Sequence, residues 1–197
     1  MTISYPLTMP TTPAFQTQNW SLQRAVGVSE SPFTGVQQTV EFDYAKWKAV
    51  VQLPPQRRDT AQSWIAFLTK LHGRRGTFFL GDADQKTPRG SVSGDITIGS
   101  TASIGDTIVT LSSNAGFKAG DMIQVGTGSA SRLYMIVADQ ENNNVQIEPK
   151  IKTAASAGTT VTYTNPVGIF RLDSNIVNWD TNQISIYGIS FACSEAD

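Results

Sequence analysis

The stretch that decides the fold is Gln56-Arg57-Arg58-Asp59-Thr60-Ala61-Gln62-Ser63-Trp64-Ile65-Ala66-Phe67-Leu68-Thr69-Lys70-Leu71-His72-Gly73-Arg74-Arg75-Gly76-Thr77-Phe78-Phe79-Leu80. Ala61, Trp64, Ile65, Leu68, Leu71 and His72 recur at helical spacing and fall on one face. Asp59 stands where an N-cap belongs, and Gln62 three residues on would complete a capping box. Gly73 stands where a left-handed residue ends a helix. A short apolar strand, Thr77–Leu80, follows at once. No other stretch reads as a helix. The remaining elements read as strands, which need this helix or one another to cover their apolar faces.

Working back from the helix, Pro54-Pro55 ends a strand over Trp47–Leu53, because proline donates nothing to a ladder. Val36–Phe42 reads as a separate strand, with Asp43-Tyr44-Ala45 as the turn between them. Trp20, Leu22, Arg24 and Val26 alternate with polar or small neighbours and give another strand, followed by a turn-rich loop from Gly27 to Gly35. Pro6, Pro10 and Pro13 oppose both helix and central strand. The first 17 residues therefore read as an extended arm, either frayed or packed on a neighbouring subunit.

Working forward, the composition changes after Thr87-Pro88-Arg89-Gly90. Short strands are expected at Ile96–Ile98, Thr107–Leu111, Met122–Val125, Arg132–Ala138, Val145–Glu148 and Thr159–Tyr163, separated by Gly and Asn turns. After Asn165-Pro166 the earlier character returns, with strands at Gly168–Leu172 and Gln183–Cys193. The expected layout is a discontinuous core (1–90 and 165–197) carrying an inserted β domain (91–164). The expected fold is mainly β: an α+β core of β-sandwich or split-barrel type with one helix, plus a small OB-like β-barrel.

Composition narrows the function. Of 197 residues only 16% are charged and the net charge is −1, so bulk electrostatics favour neither nucleic acid nor an anionic membrane. A chain of this length buries roughly 70% of its unfolded surface and needs no staples. The single cysteine, Cys193, excludes an internal disulfide and reads as a buried structural thiol. The start of the chain shows no basic and apolar signal regions, and no apolar run approaches a membrane span, so a soluble protein made in a cytoplasm is expected.

Catalytic chemistry finds little support. The one histidine, His72, lies among Lys70, Arg74 and Arg75 and reads as a capping or packing residue. Asp82-Ala83-Asp84 opens like a calcium loop, but Lys86 stands at a ligand position and no glutamate closes it. No phosphate loop is present, and no carboxylate pair stands out. The expectation is no enzyme, no cofactor and no metal. The basic residues Arg57, Arg58, Arg74 and Arg75 bracket the helix and read as a solvated rim or an inter-subunit contact. Phe117 and Tyr134 are the aromatics expected on the outward-facing surface of the insert, where a glycan or a base would stack.

The order of segments carries a resemblance. Arg24-Ala25-Val26-Gly27-Val28-Ser29-Glu30-Ser31-Pro32-Phe33-Thr34-Gly35 resembles a stretch of the distal tail protein family of long-tailed bacteriophages. So do Leu71–Phe78 with Gly81-Asp82 and Pro88-Arg89-Gly90, and Asn165–Leu172 with Tyr187-Gly188-Ile189-Ser190-Phe191. The insert resembles the family more loosely, through Gly105–Leu111 and Ala119–Gly126. The resemblance implies a structural virion protein at the tail tip. Such proteins form a ring, usually of six copies, between the tail tube and the hub or tail-fibre proteins. DNA and the tape-measure protein pass through the lumen without specific binding. On this reading Pro10, Pro13, Phe33, Arg57, Arg58, Arg74 and Arg75 are expected at subunit interfaces. The alternatives are another tail component, such as a tube or baseplate-hub protein, or a carbohydrate-binding adhesin acting through the insert. A single-strand nucleic-acid binder ranks lower, because the insert leans acidic.

Overall fold

The structure, a computed structural model, describes residues 3–196. It is mainly β, with curled sheets and, among the described residues, one α-helix. Among the described residues there are fourteen strands: β1 (Thr17–Glu30), β2 (Gln37–Gln52), β3 (Gln56–Arg57), β4 (Phe78–Leu80), β5 (Ile96–Thr97), β6 (Ile108–Thr110), β7 (Met122–Val125), β8 (Arg132–Ile136), β9 (Asn144–Glu148), β10 (Thr160–Thr162), β11 (Gly168–Leu172), β12 (Asp180–Thr181), β13 (Ile186–Gly188) and β14 (Ser190–Glu195). The helix, α1, spans Arg58–Lys70.

The first sheet runs β1-β2-β14-β11-β4. Its inner face is set by strand alternation. Trp47, Ala49, Val51 and Leu53 of β2 lie beside Cys193 of β14, Phe170 and Leu172 of β11, and Phe78 and Leu80 of β4. Helix α1 covers one end of this face with Trp64, Phe67 and Leu68, joined by Leu71 just beyond it. The rings of Trp64 and Phe191 sit 6.3 Å apart, and Phe67 and Phe78 meet edge to face at 5.7 Å. Burying a side chain of this size contributes roughly 1.5–3 kcal/mol, so the helix is held by its packing more than by its own propensity.

The helix starts differently from its expected form. Its N-cap is Arg57, in extended backbone and without a side-chain cap, and Asp59 lies inside the first turn. There it still favours the helix, as a negative charge near the positive end of the dipole. At the other end both His72 and Gly73 have positive φ, 52° and 65°. That left-handed step swings His72 off the buried face into solvent, and Phe67, not His72, completes the apolar stripe.

The second sheet runs β5-β10-β7-β8-β9-β6 and lies wholly between residues 96 and 162. Its edges meet. Ile98 bridges Leu111, and the amides of Gly99 and Ser112 donate to the carbonyls of Thr110 and Thr97 at 2.8 Å each. A sheet closed on itself has no free edge to aggregate. Six strands form this barrel, one more than an OB-fold uses. Its interior holds Ile96, Ile98, Val109, Leu111, Phe117, Ile123, Val125, Tyr134, Ile136, Val145, Ile147 and Val161.

Strands β7 and β8 serve both cores. Ile123, Val125, Tyr134 and Ile136 point into the barrel, while Met122 and Leu133 pack on the first sheet. The indole N–H of Trp47 donates to the Leu133 carbonyl at 3.1 Å. The far end of the inner face is thus covered by the barrel wall. Both crossing chains are fixed to β7 and the residue before it. Arg89 N donates to Asp121 at 2.7 Å, Val167 N donates to Gln124 at 3.0 Å, and between them Asn165 N donates to the Lys86 carbonyl at 2.7 Å.

Two other expectations fail for local reasons. Asp43-Tyr44-Ala45 is no turn, and β2 is one continuous strand. Its register against β1 passes from Arg24↔Ala45 to Val26↔Glu41, so β2 carries two extra residues there as a bulge. The run Gln183–Cys193 is also not one strand. Ser185 takes a left-handed φ of 57°, and Ile189 separates β13 from β14. Strand β13 joins β12 and β3 in a small third sheet, while β14 takes the centre of the first.

Candidate functional site

The surface holds three features that a lone chain leaves unfilled. The most prominent is the outer half of the β1–β2 hairpin. Every residue from Val26 to Tyr44 is exposed except Ser31. Val26, Val28, Phe33, Val36, Val40, Phe42 and Tyr44 are all large and apolar, and Phe33 is 95% exposed. The turn is closed by Ser31 N to Val36 O at 3.0 Å and Gly35 N to Ser31 O at 2.9 Å. Gly35 supplies the φ of 67° that this turn needs. The loop expected from Gly27 to Gly35 is therefore much shorter, because Gly27–Glu30 continue the strand.

The second feature is an apolar groove of about 330 Å³ beside the N-terminal arm, lined mainly by Met9, Pro10, Pro13, Phe15, Phe79 and Val167. The arm is bound down on its own chain. Leu7 pairs in parallel with Phe78, Tyr5 donates to the Lys70 carbonyl at 2.7 Å, and the Trp64 indole donates to the Thr12 carbonyl at 3.1 Å. Gln18, at the start of β1, reaches the groove rim through Gly81 O at 3.0 Å and Ala83 N at 2.9 Å.

The third feature is a polar groove of about 570 Å³ on the outer face of the first sheet, lined in part by Lys46, Lys48, Arg74 and Arg171. Lys48, Ser194 and Arg171 stand side by side on adjacent strands. None of these four cations forms an ion pair among the described residues.

The expected interface residues separate accordingly. Pro10 and Pro13 line the apolar groove, and Phe33 caps the hairpin. Arg57 and Arg58 lie at one end of α1 and Arg74 and Arg75 beyond the other, so thirteen residues of helix, roughly 20 Å, keep them from forming one cluster. All four are exposed.

The outward placement of Phe117 and Tyr134 is corrected. Each is only 1% exposed. Phe117 meets Tyr163 edge to face at 5.9 Å inside the barrel. The Tyr134 hydroxyl accepts from Lys152 N at 3.3 Å, and burial pushes its pKa up to about 12. Neither ring offers a platform to a sugar or a base.

Between the first sheet and the barrel runs a seam of ion pairs, each with one partner from Glu148–Lys152. Arg24 meets Glu148 at 2.9 Å, Asp43 meets Lys150 at 2.6 Å, and Glu195 meets Lys152 at 2.6 Å. The Lys150 contact holds the Asp43 carboxyl below the usual carboxylate range. The Glu195 side chain is fully buried, and its Oε2 also accepts from Trp47 N at 3.2 Å.

Cys193 is buried against the Ala49 carbonyl, and burial pushes its thiol up, away from the reactive thiolate. Asp82 accepts from Asp84 N at 2.9 Å, which closes a local turn. Among the described residues no group of three or more His, Cys, Asp or Glu gathers, and no helix is long and apolar enough to cross a membrane. No known protein family and no curated protein matches the chain.

Proposed function

We propose that this chain is a structural subunit that works without turnover, a building block of the ring at the tip of a bacteriophage tail. The observation that carries the reading is the outer hairpin, Val26–Tyr44. An isolated two-stranded ribbon is marginal in water, and this one exposes apolar side chains on both faces. Such a ribbon is built for a partner. The ordered resemblance of the flanking segments to distal tail proteins gives that partner its identity as further copies of the same chain. A ring of about six between tail tube and hub follows from that resemblance, with the virion tail tip as its location and DNA passing through the lumen. The composition suits a lumen that lets a polyanion slide, since the net charge is only −1. The adhesin alternative loses the two aromatics it relied on, because both are enclosed in the barrel.

The test is the solution mass of the purified chain by light scattering, with negative-stain images of the same sample. A discrete ring near six copies supports the reading. A strict monomer across a wide concentration range, also in the presence of tail-tube and hub proteins, would sink it.

A further inference from the structure

We infer that the free end of the β1–β2 hairpin of one copy seats in the apolar groove beside the N-terminal arm of the next, with Phe33 as the inserted side chain. The inference deepens the ring reading and rests on it only for closure of the chain of copies.

The two surfaces match in chemistry. Phe33 is 95% exposed, and Val28 and Val36 flank it with 60% and 67% exposed. The groove of about 330 Å³ is walled by Met9, Pro10, Pro13, Phe15, Phe79 and Val167. Charge agrees as well. Between Gly27 and Val40 the one charged residue is Glu30, and the groove rim carries Lys86, which forms no ion pair among the described residues. Asp82, also on the rim, sets which way the hairpin must lie for Glu30 to reach Lys86.

The contact has to join different molecules. Gln18 touches the groove rim, whereas Glu30 lies at the other end of the same strand. The twelve-residue separation (30 − 18) corresponds to roughly 40 Å of extended chain. No residue from 26 to 44 lines the groove of its own chain. A projecting apolar end and a receiving groove at opposite ends of one strand give a heterologous, head-to-tail contact. Repeated, such a contact closes into a ring or runs on as a filament.

The test uses the full chain with Phe33→Cys in one preparation and Pro10→Cys, carrying a size tag, in another. Native Cys193 is fully buried and stays silent. On mixing with a short thiol cross-linker, a covalent dimer of one tagged and one untagged chain is expected, at least tenfold above either variant alone. Glu30→Lys or Lys86→Glu lowers that yield at least tenfold, and the two changes in opposite partners restore it. Cross-linking confined to Phe33→Cys with itself overturns the inference, because the contact is then tip to tip. A discrete ring by light scattering with no mixed cross-link also overturns it, and leaves the ring reading standing. Mixed cross-links in open ladders that never close uphold the contact and sink the ring. A monomer with no mixed cross-link overturns the contact. Thermal melts of each variant confirm that the changes at exposed Glu30, Phe33 and Lys86 and at half-buried Pro10 leave the fold intact.

Discussion

The two halves of the β1–β2 ladder share one register system and one kind of sequence, yet they live in different surroundings. In the inner half, Trp47, Ala49 and Val51 are almost fully enclosed, beneath the helix at one end and the barrel wall at the other. Beyond the bulge at residues 42–44, the same two strands run into solvent with valines and phenylalanines bare. Alternation makes a strand in both places, but only covering elements make a core. The difference teaches that the outer half is not maintained by its own fold's packing.

That comparison can be broken at its strongest point first. Lys152→Met removes the ion-pair partner of a carboxylate with no exposed surface, and Glu195 is left buried without it. The expected loss is about 3–5 kcal/mol in denaturant unfolding. A loss below about 1 kcal/mol would show that the seam does not hold barrel to sheet. Trp47→Ala empties the junction and leaves the Leu133 carbonyl without its donor. It is expected to cost about 3–5 kcal/mol as well, and it would also loosen the barrel, visible as faster hydrogen exchange in β7 and β8.

A smaller effect concerns Tyr134. Its pKa rises from 10.0 to about 12 because burial disfavours the phenolate. The folded value lies above the unfolded one, so its contribution is fully present below pH 10 and is lost as pH rises toward about 12. The loss is on the order of 2 kcal/mol. Phenolate absorbance should show a tyrosine that ionises only near pH 12, and Tyr134→Phe should remove that step and flatten the alkaline decline. The smallest effect belongs to the outer hairpin. Val40→Ser or Phe33→Ser should change the stability of the isolated chain by no more than about 0.5 kcal/mol. A loss of several kcal/mol would mean that the outer half has a partner within its own chain.

Much of the mainly β fold was readable from the sequence. Alternation in Trp20–Val26 and Trp47–Leu53 placed the central ladder, and helical spacing from Ala61 to Leu71 placed α1. Asp43-Tyr44-Ala45 reads as a turn because it carries turn-type residues, and a register slip in a partner strand leaves no local mark. Tyr134 reads as exposed because strand alternation gives two faces without saying which one curls inward, and Phe117 lies in the loop before β7, where no periodicity marks a buried side. In β8 both faces are covered, Tyr134 by the barrel and Leu133 by the first sheet. Of the candidate contact residues, Pro10, Pro13 and Phe33 stood out locally, through proline spacing and turn chemistry. Their placement at opposite ends of one strand did not, since the strand runs on past Val26 through Gly27 and Ser29, where apolar alternation fades. The cationic groove was also missed. Arg171 is far along the chain from Lys46 and Lys48, and only the register of β2, β14 and β11 brings it beside them.

The hydrogen bond between Asn165 and Lys86 has a consequence for how this architecture can be rebuilt. The chain departs from the core and returns to it at one point, so whatever lies between behaves as a cassette. A loop of a few residues, or a larger module, could be spliced between these two positions without stretching the first sheet. The one condition is inherited from the barrel it would replace: the newcomer has to bring an apolar lid for Trp47, a service that Leu133 and Met122 now perform.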